Sequence, residues 1–235
     1  MKKRVLLKIS GESLAKDGKE GGGIDPDAVF DVAKKIKDIY DLGIETSVVI
    51  GGGNIFRWRR VRESGMERVP ADTIGMISTV INGVALQDAL ERLEAPTRLM
   101  SSIEMPKVCE PYIIRRAIRH LEKGRIVIFA GGTGGPFFTT DSAAAIRASE
   151  IKADLIIKAS NVDGVYDSDP NKNPKAKKFD EITFKEAIEK NLLVMDITAF
   201  TICRENKIPI IVVNFSDKDS IKKAILGEKV GTLVR

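Results

Sequence analysis

With 235 residues, 43% of them hydrophobic, the chain is long enough for one well-buried α/β domain or two closely joined lobes, and too apolar for bulk disorder. Its 38 basic and 33 acidic residues leave a formal charge of +5, but the signs alternate along the chain. That argues against a nucleic-acid arm or polybasic tail and suits small phosphate-bearing anions drawn to a positive cleft.

The basic start at Met1 leads into an apolar run, Val5 to Ile9, too short for a signal sequence, and no run approaches a membrane span. Cys109 and Cys203 lie far apart without CxxC or Cys/His spacing, so no disulfide framework or zinc site is expected and a reducing cytoplasm fits. Short β-branched runs predict strands over residues 4–10, 44–50, 97–101, 125–130, 154–159 and 208–214. Between the first two, Pro26 marks a helix start, with Val29, Ala33, Ile36 and Ile39 on one face and Gly43 as the stop. Ile74, Ile77, Ile81, Val84 and Leu90 form a second, longer helical stripe. His120, the sole histidine, sits in a helical pattern and is expected on the surface, which disfavours histidine acid-base chemistry. Residues 160–180 are rich in Asp, Asn, Lys and Pro and predict a long exposed excursion. Thr183 and Glu186 have capping-box spacing. Strand and helix alternate throughout, which argues for a mainly parallel sheet covered on both faces. Without repeat or flexible linker, residues 1–235 form one domain, and any division near Asp154 separates two halves of one sheet.

Three glycine-rich turns each follow an apolar strand: Gly11, then Gly51-Gly52-Gly53, then GGTGG at 131–135. Glycine lets backbone N–H groups approach a phosphate closely, and open α/β sheets bind ligands at the carboxyl ends of their strands. Three such turns together predict one polyanion site. No Walker A motif, no GxGxxG after a strand and no HRD/DFG pair occurs, so the scaffold is none of those three. Lys8, just before Ser10-Gly11, is either placed to bridge transferring phosphate oxygens or a solvated lysine ending an edge strand. In the segment GGTGGPFFTTD, Thr140 and Asp141 are candidate caps for the helix that follows, whose N-terminus favours an anion. Phe137 and Phe138 there are either core or ring contacts. Read singly, Asp72, Arg57 and Asp196 would be solvated surface charges.

The runs Lys8-Ile9-Ser10-Gly11-Glu12, Val49-Ile50-Gly51-Gly52-Gly53-Asn54, Thr133-Gly134-Gly135-Pro136-Phe137-Phe138-Thr139-Thr140-Asp141, Val162-Asp163-Gly164-Val165-Tyr166 and Met195-Asp196 occur in this order. In them the chain resembles, nearly end to end, the bacterial uridylate kinases of the amino-acid kinase superfamily. PFFTTD is the specific element; GGGN and VDGV-like segments are shared with relatives acting on carboxylates and carbamate. The resemblance implies a three-layer αβα sandwich, the carbamate kinase-like fold. Residues 1–153 would bind the acceptor and residues 154–235 would bind ATP. The implied reaction is ATP plus UMP to ADP plus UDP, in pyrimidine nucleotide biosynthesis. Lys8, Ile9, Ser10, Gly11, Gly53 and Arg57 would face the ATP phosphates, and Ser160, Asn161, Tyr166 and Asp169 its adenine and ribose. Gly52 would touch UMP, Asp72 would bind its ribose, and Thr133, Gly134, Gly135 and Pro136 with Phe137, Phe138, Thr139 and Thr140 would wrap its phosphate and base. The implied catalytic residues are Lys8, Asp141 and Asp196, the aspartates orienting Lys8 or meeting Mg2+ through water. Mg2+ itself would be held mainly by nucleotide phosphates, without a protein metal cluster.

The resemblance further implies a homohexamer built from dimers, activated by GTP and inhibited by UTP. Arg98 and Arg125 would supply charge to the effector site. Gln87 and Glu91 stand where some relatives carry basic residues, so GTP activation is expected to be weak or altered. Two other readings stay open: a kinase of the same superfamily with another acceptor, and a non-catalytic nucleotide-sensing module.

Overall fold

A computed structural model describes residues 3–16, 22–58, 65–170, 172–192, 194–217 and 219–235. Met1 and Lys2 of the basic start, and Asn171 of the predicted excursion, lie outside the described residues.

The six predicted strands all form, within about two residues of their expected ends: β1 (Arg4–Ile9), β2 (Glu45–Ile50), β3 (Thr97–Ser101), β5 (Ile126–Ala130), β6 (Leu155–Ser160) and β10 (Ile210–Asn214). Five short strands join them: β4 (Glu110–Pro111), β7 (Val165–Tyr166), β8 (Lys178–Phe179), β9 (Glu181–Ile182) and β11 (Thr232–Val234). The main sheet runs β4-β3-β5-β2-β1-β6-β10-β11-β9, parallel throughout except where β11 meets β10. The predicted excursion contains the small β7–β8 hairpin.

Helices cover both faces. On one lie α1 (Pro26–Tyr40), α2 (Arg68–Arg92) and α7 (Ser220–Leu226); on the other α3 (Ile114–Glu122), α4 (Thr140–Glu150), α5 (Phe184–Glu189) and α6 (Ile197–Glu205). The two-residue period of a strand divides the core accordingly. Val5, Leu7 and Ile9 pack toward α1 and α2, whereas Leu6 packs toward α4. Lys8 shares the parity of Leu6 and therefore faces the α4 side. Pro26 stands at the first turn of α1 with Asp25 as its cap, accepting from Ala28 N–H at 2.9 Å. The Thr183–Glu186 capping box forms at the start of α5.

The second helical stripe is turned the other way. Leu90 is buried, but Ile74, Ile77, Ile81 and Val84 are between 38% and 46% exposed. The face of α2 against the sheet carries Ser78, Thr79, Asn82 and Gly83 beside Val80, Leu86 and Leu90. Its small and polar residues have a reason. The helix lies so close to the second glycine turn that a Cβ on Gly52 would stand 2.8 Å from both Gly75 O and Ser78 Cβ. Thr79 Oγ1 accepts from Gly131 N–H at 2.8 Å, and Asn82 Nδ2 donates to Gly51 O at 2.7 Å. In length and composition α2 could also cross a membrane, counter to the expectation that no run approaches a span. Here it lies along the sheet with those polar groups satisfied by loop backbone.

His120 is also corrected: it is buried, not on the surface. Arg125 Nη1 lies 3.0 Å from His120 Nδ1 and Glu110 Oε2 lies 3.1 Å from Nε2. Because arginine can only donate, Nδ1 accepts and the imidazole donates from Nε2 to Glu110.

Candidate active site

Strands β1, β2, β5 and β6 are mutually parallel, so their carboxyl ends share one rim. That rim brings the three glycine turns together. A cleft of about 640 Å³ opens there, lined by Lys8, Ser10 and Gly11, by Gly51, Gly52 and Gly53, and by Gly132, Thr133 and Gly135. Arg57, Trp58, Arg68, Phe138, Thr139, Thr140 and Asp141 complete much of the wall.

The first two turns touch each other, which leaves no room for a side chain at Gly11. A Cβ on Gly11 would sit 2.6 Å from Gly51 O and 2.5 Å from Asn54 Oδ1. Asn54 and Asn82, both fully buried, hold this junction. Asn54 Nδ2 donates to Gly23 O at 2.8 Å, and Asn82 Nδ2 donates to Asn54 Oδ1 at 2.7 Å. At the third turn Gly131, Gly132 and Gly134 have φ of 74°, 57° and 87°, a region that favours glycine.

Lys8 lies mid-sheet, not on an edge strand, directly opposite Lys158 of β6. Both ammoniums meet one carboxylate: Lys8 Nζ is 2.7 Å from Asp141 Oδ1 and Lys158 Nζ donates to Asp141 Oδ2 at 2.6 Å. Burial works to raise the Asp141 pKa, and the two lysines outweigh it, holding the group at about 2. Burial pushes the Lys158 ammonium down to about 8 against the pull of Asp141. Two cations around one anion leave a buried net positive charge beside the cleft. Lys158 was not among the residues singled out from the sequence; its place one strand register from Lys8 becomes visible only once β1 and β6 pair.

The cap of α4 is Thr139, whose Oγ1 accepts from Asp141 N–H at 3.0 Å and Ser142 N–H at 3.3 Å. Thr140 and Asp141 do not cap; Asp141 sits one residue into the first turn and its side chain is taken by the lysines. Asp196 caps α6, accepting from Ala199 N–H at 2.8 Å, and also accepts from Ser142 Oγ at 2.9 Å and from Thr139 Oγ1. It joins α6 to the start of α4 and does not line the cleft. Ile9 is wholly buried, so only its backbone can face a ligand. Arg57 pairs with Glu12.

Asp72 accepts from Arg68 Nε at 2.7 Å and from Phe137 N–H at 2.7 Å. Phe137 and Phe138 are 64% and 52% exposed, so neither is core. Ser160 ends β6 and Asn161, Tyr166 and Asp169 lie beyond it, all outside the cleft wall, with Tyr166 Oη donating to Asp163 at 2.6 Å. Arg98 and Arg125 lie elsewhere, at the β3–β4 edge and beside His120. Arg98 stands 3.6 Å from Glu91 and 3.7 Å from Glu110. Among the described residues no group of three or more His, Cys, Asp or Glu is placed to hold a metal.

A parallel sheet whose rim gathers three backbone-lined turns around buried ammoniums defines a phosphate-handling α/β enzyme. The chain belongs to the amino acid kinase family, whose model matches residues 3–214. It is similar to solved UMP kinases from Bacillus anthracis and Ureaplasma parvum. The first is 42% identical with a TM-score of 0.95, covering 99% of this chain and 96% of that one. The second is 40% identical with a TM-score of 0.93, covering 100% and 99%. A uridylate kinase from Archaeoglobus fulgidus is 29% identical with a TM-score of 0.75 over the whole of both chains.

Proposed function

We propose that this chain transfers the γ-phosphoryl group of ATP to the phosphate of UMP, giving ADP and UDP. One observation carries the reading: Lys8, Asp141 and all three glycine turns line a single cleft, in a chain 42% identical to a UMP kinase. The bond from the γ-phosphorus to the β,γ-bridging oxygen breaks, a UMP phosphate oxygen takes its place, and ADP leaves. UMP needs no general base, because a phosphate with a second pKa near 6 is already a dianion at pH 7. The obstacle is repulsion between two polyanions, and the Lys8–Asp141–Lys158 cluster offsets it where charge builds. Mg2+ enters as part of the MgATP substrate, which fits Asp141 and Asp196 being committed to lysines and to helix caps. We assign ATP to the β1–β6–β10 side and UMP to the Gly52, Asp72 and 133–140 side. Nucleotide substrates and two free, buried cysteines fit a cytoplasmic setting.

Coupled ADP release measured with UMP, CMP, acetylglutamate and carbamate tests this, with strong selectivity for UMP expected. Preferred turnover of a carboxylate or carbamate would assign another acceptor, and nucleotide binding without turnover would mark a sensing module.

The exposed stripe on α2 supports self-association as dimers within a hexamer. Ile77 and Ile81 lie one turn apart on an apolar face that water would otherwise cover. Replacing both by lysine is expected to give monomers by light scattering, and an unchanged molar mass would place the interface elsewhere. We assign effector binding to Arg98 and Arg125. GTP must displace Glu91 and Glu110 from Arg98, so weak activation is expected, and UTP is taken as the inhibitor. A GTP titration of initial rate checks this, and strong activation would refute it.

A further inference from the structure

Arg147 of α4 takes no part in the chemistry above, yet it is 95% buried by its 5% relative exposure and its Nε has no hydrogen-bond partner among the described residues. An apolar side chain of similar volume would avoid that desolvation cost, so packing alone does not account for an arginine here. Its guanidinium lies 3.9 Å over the Tyr112 ring, Nη1 pairs with Glu150 Oε2 at 2.5 Å, and Tyr112 Oη donates to the same Glu150 oxygen at 2.6 Å. That frame leaves Nη2 aimed at Ser102, to whose Oγ it donates at 2.8 Å. Arginine only donates, so Ser102 Oγ accepts and must spend its single hydrogen elsewhere. It donates to Gly132 O at 3.0 Å.

Gly132 is in the third glycine turn, and no peptide bond among the described residues is cis. In a trans peptide the N–H points away from the carbonyl of the same unit. Tying Gly132 O to Ser102 therefore turns Thr133 N–H to the opposite side, and both residues line the cleft. Thr133 N–H has no protein acceptor among the described residues, which makes it a donor held ready for a ligand. The rest of the turn leans on the same segment: a Cβ on Gly131 would meet Ser102 N at 3.0 Å, and one on Gly134 would meet Ser102 O at 3.2 Å.

We infer that Arg147 is a positioning residue for the acceptor: through Ser102 it fixes the polarity of the Gly132–Thr133 peptide, so that an N–H and not a carbonyl faces the anionic acceptor. Without the relay that peptide is free to rotate and present an oxygen, which repels phosphate. The inference rests on the assignment of UMP to this side of the cleft.

The experiment measures initial rates against UMP and against ATP for wild type, Ser102→Ala, Arg147→Lys and the double variant, with thermal melting as the folding control. In Ser102→Ala, KM for UMP is expected to rise about tenfold, the scale of one lost hydrogen bond, with kcat and KM for ATP within about threefold of wild type. Arg147→Lys is expected to shift KM for UMP in the same sense, since an ammonium cannot fork between Glu150 and Ser102. The double variant should be no worse than the more impaired single one. Should Arg147→Lys fail to fold, Ser102→Ala alone decides. A KM for UMP within twofold of wild type in Ser102→Ala, or an equal rise in both KM values, overturns the inference while leaving the reaction intact. A wild-type protein that forms no UDP overturns the reaction itself and this inference with it.

Discussion

Lys8→Ala is expected to lower kcat by about 10²–10³-fold, the scale of losing one fixed electrostatic group at a transferring phosphoryl, while KM for UMP changes by less than about threefold. The reason lies in where the ammonium is held. It stands one residue before the end of a central strand, with 11% of its side chain exposed, and Asp141 fixes it at 2.7 Å. A group so placed meets charge that develops during transfer more than charge already present on bound UMP. Steady-state kinetics with saturating MgATP decide the matter, and comparable turnover in both proteins would remove Lys8 from the chemistry. Arginine at this position is not expected to rescue, because its planar fork needs more room than a strand end pressed against Asp141 leaves.

Lys158→Met is expected to cost about 10²-fold in kcat and also to change the pH profile. The Lys158 pKa is lowered to about 8, chiefly by burial, from the usual 10.5. The charged form is the useful one, so wild-type turnover should fall as pH rises through about 8. The sign for folding is opposite. Between about 8 and 10.5 the unfolded chain binds this proton more tightly than the folded one, so the group opposes folding below about pH 8 and that opposition fades as pH rises through the window. An ammonium kept in the interior against its own contribution to stability fits a role in the reaction. Lys158→Arg, charged at every working pH, should lose the alkaline fall in its rate profile. An identical fall in wild type and Lys158→Arg would assign it to another group. Asp141 runs the other way: its pKa of about 2 means that its contribution is complete above the ordinary carboxylate range and is lost only as pH falls toward 2.

The sequence announces the strands that fill the middle of the sheet because each is a β-branched run long enough to read alone. It hides β4, β7, β8, β9 and β11, which have two or three residues each and exist through pairing with distant segments. The gathering of the glycine turns at one cleft was legible since glycine there marks close backbone approach. The asparagines behind them were not, because Asn54 and Asn82 look like ordinary surface amides until their burial is seen. The same blindness covers Arg147, Lys158 and His120. Polar residues give no periodic signal when they are buried in pairs. The α2 stripe shows the inverse: apolar periodicity says that one face will be covered, and it does not say by what. Thr139 took the cap expected of Thr140 and Asp141 because two lysines from strands far apart in sequence claim the aspartate.

One property of the sheet bears on how a catalytic cycle can proceed. Strands β1 and β2 pair in register over six residues, from Arg4 with Glu45 to Ile9 with Ile50. On the proposed assignment, the floors beneath donor and acceptor are thus parts of one continuous sheet. Any opening and shutting is then expected in the overhanging parts, the exposed Phe137-Phe138 strip after the third turn and the small β7–β8 hairpin. Substrate exchange would then move the eaves while the ground stays still.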